Sequence, residues 1–136
     1  MAFKHGKDTN IDINSQDISA FCSDSELKQS VDTHDTTGYG SDNKTYIPGL
    51  IDGEFTCEGS YDDNGTTDPK TVFEAIIDAG AAVTLIRQTE GTGSGLPQES
   101  VSVIVTAYTE TNPVANKISW SAQCQLTGTI TRSSQA

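Results

Sequence analysis

SELKQSVDTHDTTGYGSDNKTYIPGLIDGEFTCEGSY, residues Ser25–Tyr61, decides how the rest of the chain is read. Polar and apolar residues alternate loosely over Glu26–Asp35. They alternate cleanly over Asp52–Tyr61, with Phe55, Cys57 and Tyr61 on one side and Glu54, Thr56 and Glu58 on the other. Period-two alternation places successive side chains on opposite faces of an extended chain, so both runs are expected to be half-buried strands. The joining segment, Thr36–Leu50, far exceeds the roughly two to five residues of an ordinary hairpin loop. Gly38, Gly40, Asp42, Asn43 and Pro48 favour turns there, but Tyr39, Tyr46, Ile47 and Leu50 are residues that a solvated linker lacks. A loop of this length and make-up is expected to become ordered against another molecule.

Outward from this hairpin the chain remains β-rich. Ile11, Asp12 and Ile13 mark a first short strand within Thr9–Asn14, and Asp17–Phe21 a turn or extended piece with Ile18 and Phe21 directed inward. Beyond the polar turn Asp62–Thr67 comes one helix, over about Pro69–Ala79. Asp68 suits the N-cap, Pro69 the first helical position and Gly80 a left-handed C-terminal cap. Val72, Phe73, Ile76 and Ile77 recur at helical spacing, so the helix must lie on a sheet or over the end of a barrel. A strand is expected over Ala82–Arg87, a glycine-rich loop over Glu90–Gln98, and a strand over Glu99–Glu110. In that last strand Val101, Val103, Val105 and Ala107 form a dry side, and Ser102, Ile104, Thr106 and Tyr108 a wet one. After a turn at Asn112 and Pro113, Ile118, Trp120, Ala122, Cys124 and Leu126 alternate with Ser119, Ser121, Gln123, Gln125 and Thr127, which implies one dry and one wet face.

The expected fold is mainly β: a β-sandwich or small barrel of about six strands with one flanking α-helix. Its core would hold Phe55, Cys57, Phe73, Ile76, Ile77, Val103, Val105, Trp120 and Leu126. One domain over residues 1–136 is expected, with tails at 1–8 and 132–136. A chain of 136 residues buries about 70% of its extended surface, enough for a core without staples. Three cysteines at wide spacing, Cys22, Cys57 and Cys124, lack the paired arrangement of zinc sites and read as free thiols. No apolar run approaches the roughly 20 residues of a membrane span, and Met1–Lys7 has no apolar signal core, so folding in cytoplasm is expected.

The formal charge of −11 opposes a nucleic-acid grip, which needs clustered Lys and Arg. Catalysis has little to work with. His34 lies between Asp32 and Asp35, but a strand sends adjacent side chains to opposite faces. Gly91, Gly93 and Gly95 fail the dinucleotide pattern, because Leu96 and Pro97 follow where a glycine and a helix should stand. Asp62, Asp63, Asn64 and Asp68 miss the calcium-loop spacing. Glu54 and Glu58 would lie about 13 Å apart along a strand, too far for a glycosidase pair. No enzyme, metal or cofactor is expected.

Three stretches carry a resemblance: Met1-Ala2-Phe3-Lys4-His5-Gly6-Lys7, Val31-Asp32-Thr33-His34-Asp35-Thr36-Thr37-Gly38-Tyr39-Gly40, and Lys44-Thr45-Tyr46-Ile47-Pro48-Gly49-Leu50-Ile51-Asp52-Gly53. With them the chain resembles the major tail tube proteins of long-tailed, siphovirus-type bacteriophages. The resemblance implies a virion structural protein of the tail, assembled in the host cytoplasm. Six copies would form a ring, and rings would stack into a tube through which double-stranded DNA passes as non-specific cargo. It further implies contacts with copies of itself and with tape-measure, tail-terminator and baseplate or tail-tip proteins, and none with membrane. Tyr39, Tyr46, Ile47, Pro48 and Leu50 would touch the adjacent ring. Glu26, Lys28, Asp32, Glu54, Thr56, Glu58, Ser119, Ser121, Gln123 and Gln125 would face the lumen. The alternative is a capsid decoration protein or another non-catalytic β-sandwich binding module, such as a carbohydrate-binding domain. That reading needs an exposed aromatic platform, whereas Trp120 falls on the dry face.

Overall fold

The computed structural model describes residues 6–61 and 68–135. Its strands are β1 (Asn10–Ile13), β2 (Gln16–Asp17), β3 (Asp24–Asp35), β4 (Tyr46–Ser60), β5 (Val83–Gln88), β6 (Pro97–Thr111) and β7 (Ser119–Ser134). One helix, α1 (Pro69–Ala79), and 3₁₀ turns at Gly6–Asp8 and Ser19–Phe21 complete the described elements. The fold is mainly β with a single α-helix, as the alternation implies, and the two-residue β2 brings the strands to seven. All seven are antiparallel members of one sheet in the order β2-β1-β5-β6-β7-β4-β3.

That sheet curls about one side. Ile11 and Ile13 of β1 belong to the same buried cluster as Phe55 and Cys57 of β4, although three strands stand between them. In a flat sheet the two strands would be about 19 Å apart at ~4.8 Å per strand. Ser23 N–H donates to the Glu58 carbonyl at 2.8 Å, which extends the β3–β4 ladder back past Asp24. At Gly59 an added Cβ would stand 1.8 Å from the Phe21 carbonyl oxygen, so only glycine admits this approach.

α1 closes the open side of the core. The Asp68 carboxylate accepts from Thr71 N–H, Pro69 occupies the first turn, and Gly80 adopts φ 65° with its N–H on the Ile76 and Ile77 carbonyls. Pro69, Val72, Phe73 and Ile76 are buried. Ile77, expected in the core, is 43% exposed. At 100° per residue it stands about a quarter turn from the centre of the buried face, and the sheet does not reach that far round. Ile118 is exposed as well, because it precedes β7 rather than belonging to it.

Phe73 stacks on Tyr108 with centroids 5.6 Å apart, and Trp120 lies 5.7 Å from Phe73 and 6.2 Å from Tyr108. Tyr108 therefore sits on the core side, against the expectation of a wet position. The register explains it: Val105 pairs with Cys124, but Ala107 pairs with Gln123 and Tyr108 with Ala122. One additional residue, Thr106, bulges β6 and reverses its alternation, so Ala107 and Tyr108 exchange faces. Thr106 Oγ1 donates to the Gln123 carbonyl at 3.1 Å, and the Tyr108 hydroxyl pairs with Glu110 at 3.2 Å. Burial and the neighbouring Glu110 carboxylate push the Tyr108 phenol above the ordinary tyrosine range.

Phe55, Cys57, Val103, Trp120 and Cys124 are buried, with Val105 and Leu126 packed against them. All three cysteines are free. Burial pushes the Cys124 thiol up to about 12. Cys57 is raised too, first by its hydrogen bond with the Cys22 thiol and then by burial. These are protonated, unreactive core groups. The expected tail from residue 132 is in fact the end of β7, where Arg132, Ser133 and Ser134 pair with Glu99, Gln98 and Pro97. Backbone pairing with β6, not apolar burial, extends the strand there. His5 and the turn Asp62–Thr67 lie outside the described residues.

Candidate assembly interface

Among the described residues, β3 and part of β6 present open strand edges on one broad curved sheet. β3 ends the strand order, so its 12 residues pair with β4 on one side and with no described strand on the other. β5 covers β6 only across Glu99–Val103. From Ile104 to Thr111, β6 has β7 on one side and no strand on the other among the described residues. Unpaired backbone N–H and C=O groups along such margins are templates for another chain.

Between these edges the register gathers the expected wet residues into rows. Lys28 pairs with Glu54, Glu54 with Gln125 and Gln125 with Ile104. Glu26, Thr56 and Gln123 form a second row, Asp24, Glu58 and Ser121 a third, and Ser60 and Ser119 a fourth. Asp32 continues the β3 alternation outward. The face is thus a hydroxyl, amide and carboxylate surface with Lys28 in it, and Ile104 is its exposed apolar member. At its margin the Gln125 amide donates to Asp52 Oδ1 at 2.7 Å and to the Gly53 carbonyl at 2.8 Å.

β4 pairs with β7 only over Glu54–Ser60. Among the described residues its other half, Tyr46–Gly53, has β3 alone, so the hairpin leaves the body as a two-stranded arm. The expected loop Thr36–Leu50 is shorter than its sequence suggests. Tyr46, Ile47, Pro48 and Leu50 lie within β4, and the connection is residues 36–45. Pro48-Gly49 interrupts the alternation, and an irregularity between Val31 and Thr33 absorbs the break: Val31 faces Ile51, but Thr33 faces Pro48. The tip is tied down by polar bonds. Thr36 N–H donates to the Thr45 carbonyl at 2.8 Å, Thr45 N–H to Thr37 Oγ1 at 2.9 Å, and Thr37 N–H to Asp35 Oδ1 at 2.8 Å. The bonds from Thr37 hold the Asp35 carboxyl below its usual range.

The arm is apolar and bare. Leu50 is 81% exposed and Ile51 75%, while Val31, Tyr39, Tyr46 and Ile47 are exposed too. An isolated two-stranded hairpin is only marginally stable in water, so apolar groups held out on one call for a partner. The alternation had offered no reason to single out Val31 and Ile51, since their exposure follows from the early end of the β4–β7 ladder. Among the described residues no group of three or more His, Cys, Asp or Glu side chains is placed to hold a metal ion, and His34 stands on the arm opposite Ile47.

Among the described residues, the curled sheet thus presents open edges on β3 and part of β6 and an exposed apolar arm. No protein-family model matches the chain, and no curated protein sequence matches it. Solved structures do. A chain from the virion of a native gene transfer agent particle superposes with a TM-score of 0.81 at 14% identity, over 97% of this chain and 100% of that one. A chain from the tail of the empty particle, refined with C6 symmetry, gives 0.76 at 15% identity over 98% and 100%. The SPP1 tail tube gives 0.76 at 11% identity over 98% and 80%. The tube-terminating cap of the anti-feeding prophage gives 0.74 at 12% identity over 99% and 93%. At these identities the likeness defines the fold, and the fold is that of tail tube proteins.

Proposed function

We propose that this protein is a non-catalytic virion subunit that assembles with copies of itself into a phage-type tail tube. The observation that carries the proposal is the pair of open edges. β6, β7, β4 and β3 alternate in direction across the sheet, so β3 of one subunit meets the free part of β6 in the next antiparallel. Repeating that step around a ring pairs these two edges in every subunit, where they would otherwise be templates for aggregation. Six subunits per ring fit the C6 symmetry of the similar gene transfer agent tail.

The core side of each sheet, covered by α1, then faces outward, and the rows of Glu26, Lys28, Glu54, Thr56, Glu58, Ser119, Ser121, Gln123 and Gln125 line the channel, with Asp32 beyond them. DNA carries a phosphate charge per roughly 1.7 Å of axis, and a basic wall would hold it by releasing counterions. An acidic and amide-rich wall lets it slide. Six copies at −11 each carry roughly 66 negative charges, screened over about 8 Å at physiological salt, so association rests on backbone pairing and apolar contact. Tyr39, Tyr46, Ile47, Pro48 and Leu50 supply that contact to the adjacent ring.

The place of the protein in this reading is the virion tail, assembled in the host cytoplasm, with tape-measure, tail-terminator and tail-tip proteins as partners. The shared fold of a tube-terminating cap supports end partners of like construction. A carbohydrate-binding reading has no support from Trp120, which is buried. Negative-stain electron microscopy of the purified protein, at high concentration and in salt that screens repulsion, tests the proposal. Rings or tubes with a central hole are expected, and a dispersed particle under every condition would count against it.

A further inference from the structure

The arm has a groove at its base that ring closure does not use. β7 stops pairing with β4 at Gln125 and continues beside β6, while β4 continues with β3, so the two diverge. The gap between them is about 500 Å³ and is lined by Val31, Ile51, Leu126 and Ile130, with Asp52 and Arg132 beside them.

Strand direction shows what can fill it. The β6–β7 connection, residues 112–118, stands at the far end of β7 from the groove. From Ser119 to Ile130 is about 36 Å at ~3.3 Å per residue, so a subunit cannot reach its own groove with this turn. At that far end Val114 is fully exposed. Charge points the same way. The turn, residues 112–118, contains no Asp or Glu and includes Lys117, in a chain of −11. The arm and its tip carry Asp32, Asp35, Asp42 and Asp52 against Lys44. A turn free of carboxylates is the complement an acidic arm requires.

We infer that the β6–β7 turn of a copy in the adjoining ring seats Val114 in the groove formed by Val31, Ile51, Leu126 and Ile130, with Lys117 turned toward the arm's carboxylates. The inference rests on the tube reading above and names what the arm meets. Knob and groove lie near opposite ends of β7, so the contact is heterologous and propagates along the tube axis without closing on itself.

Val114→Asp tests it, because a fully exposed position tolerates the change in the folded subunit. Rings are expected to form, with stacked tubes reduced about tenfold or more, since an aspartate cannot enter an apolar groove unpaired. V114L should retain stacking. Val114→p-benzoylphenylalanine, photo-activated in assembled wild-type-length tubes, should cross-link to residues 29–31, 51–53 or 126–132 of another copy. V114D tubes of wild-type length, or cross-links that map elsewhere, would overturn the inference and leave the tube reading intact. A wild-type protein that forms neither rings nor tubes would instead remove the reading on which it rests.

Discussion

The inner and outer halves of the β3–β4 hairpin share one ladder and differ in everything around it. In the inner half, Leu27 pairs with Phe55 and Ser25 with Cys57, β7 supports the other side of β4, and Phe55 and Cys57 are buried. In the outer half, Val31 pairs with Ile51 and His34 with Ile47, β4 has no second neighbour among the described residues, and the side chains are exposed. Residue type does not separate the halves, because both contain large apolar groups. The difference is the third strand: where β7 is present the hairpin is part of a core, and where β7 leaves its apolar side chains are exposed.

The largest expected effect falls on the inner half. Phe55→Ala should cost about 3–5 kcal/mol, a large part of the ~5–15 kcal/mol that holds such a domain together. Urea unfolding followed by Trp120 fluorescence measures it, and a loss below ~1 kcal/mol would erase the contrast between the halves. The outer half should show the reverse. Tyr46→Asp combined with Ile47→Asp should leave unfolding within about 1 kcal/mol of wild type, as exposed substitutions do, while assembly is lost. Tubes of normal length from that double variant would deny the arm its role.

A smaller effect concerns Tyr108, which packs with the inner half's aromatic neighbours. Its phenol ionises later in the folded than in the unfolded chain, so the unfolded state loses its proton first and stability should fall as pH rises past the ordinary tyrosine range. Tyr108→Phe should be less sensitive to alkali, and an identical alkaline profile would argue against burial of the hydroxyl. The smallest effect is at the arm's tip. Asp35 is held below its usual range by Thr37, so its contribution is present above the normal carboxylate pKa and lost as pH falls through the lowered one. Asp35→Asn should speed exchange of the Thr37 amide without moving the melting temperature. A shift in melting would mean that the tip is coupled to the core after all.

Much of this contrast was legible in the sequence, for reasons that stop at identifiable residues. Asp68, Pro69 and Gly80 bounded α1 because capping is local chemistry. Alternation found the inner hairpin and β7 through Trp120 and Cys124, since one face had to be dry. It failed at Thr106, where one added residue turned Tyr108 inward, because a bulge leaves no mark on composition. It also failed at Pro48-Gly49, which read as loop although the strand passes through by way of an irregular pairing. Alternation alone could assign Lys28, Glu54 and Gln125 to wet faces, but their row, and the end of the β4–β7 ladder at Glu54 that bares the arm, are properties of pairing between distant segments.

Hydrogen exchange, compared between dispersed subunits and assembled particles, tests most directly whether copies of this chain complete its sheet. The outward amides of Asp24–Asp35 and Ile104–Thr111 should exchange freely in the subunit and become protected on assembly, while Trp120–Cys124 should be slow in both. Edges that exchange equally fast in subunit and assembly, or that are already protected in the isolated chain, would contradict ring closure through β3 and β6.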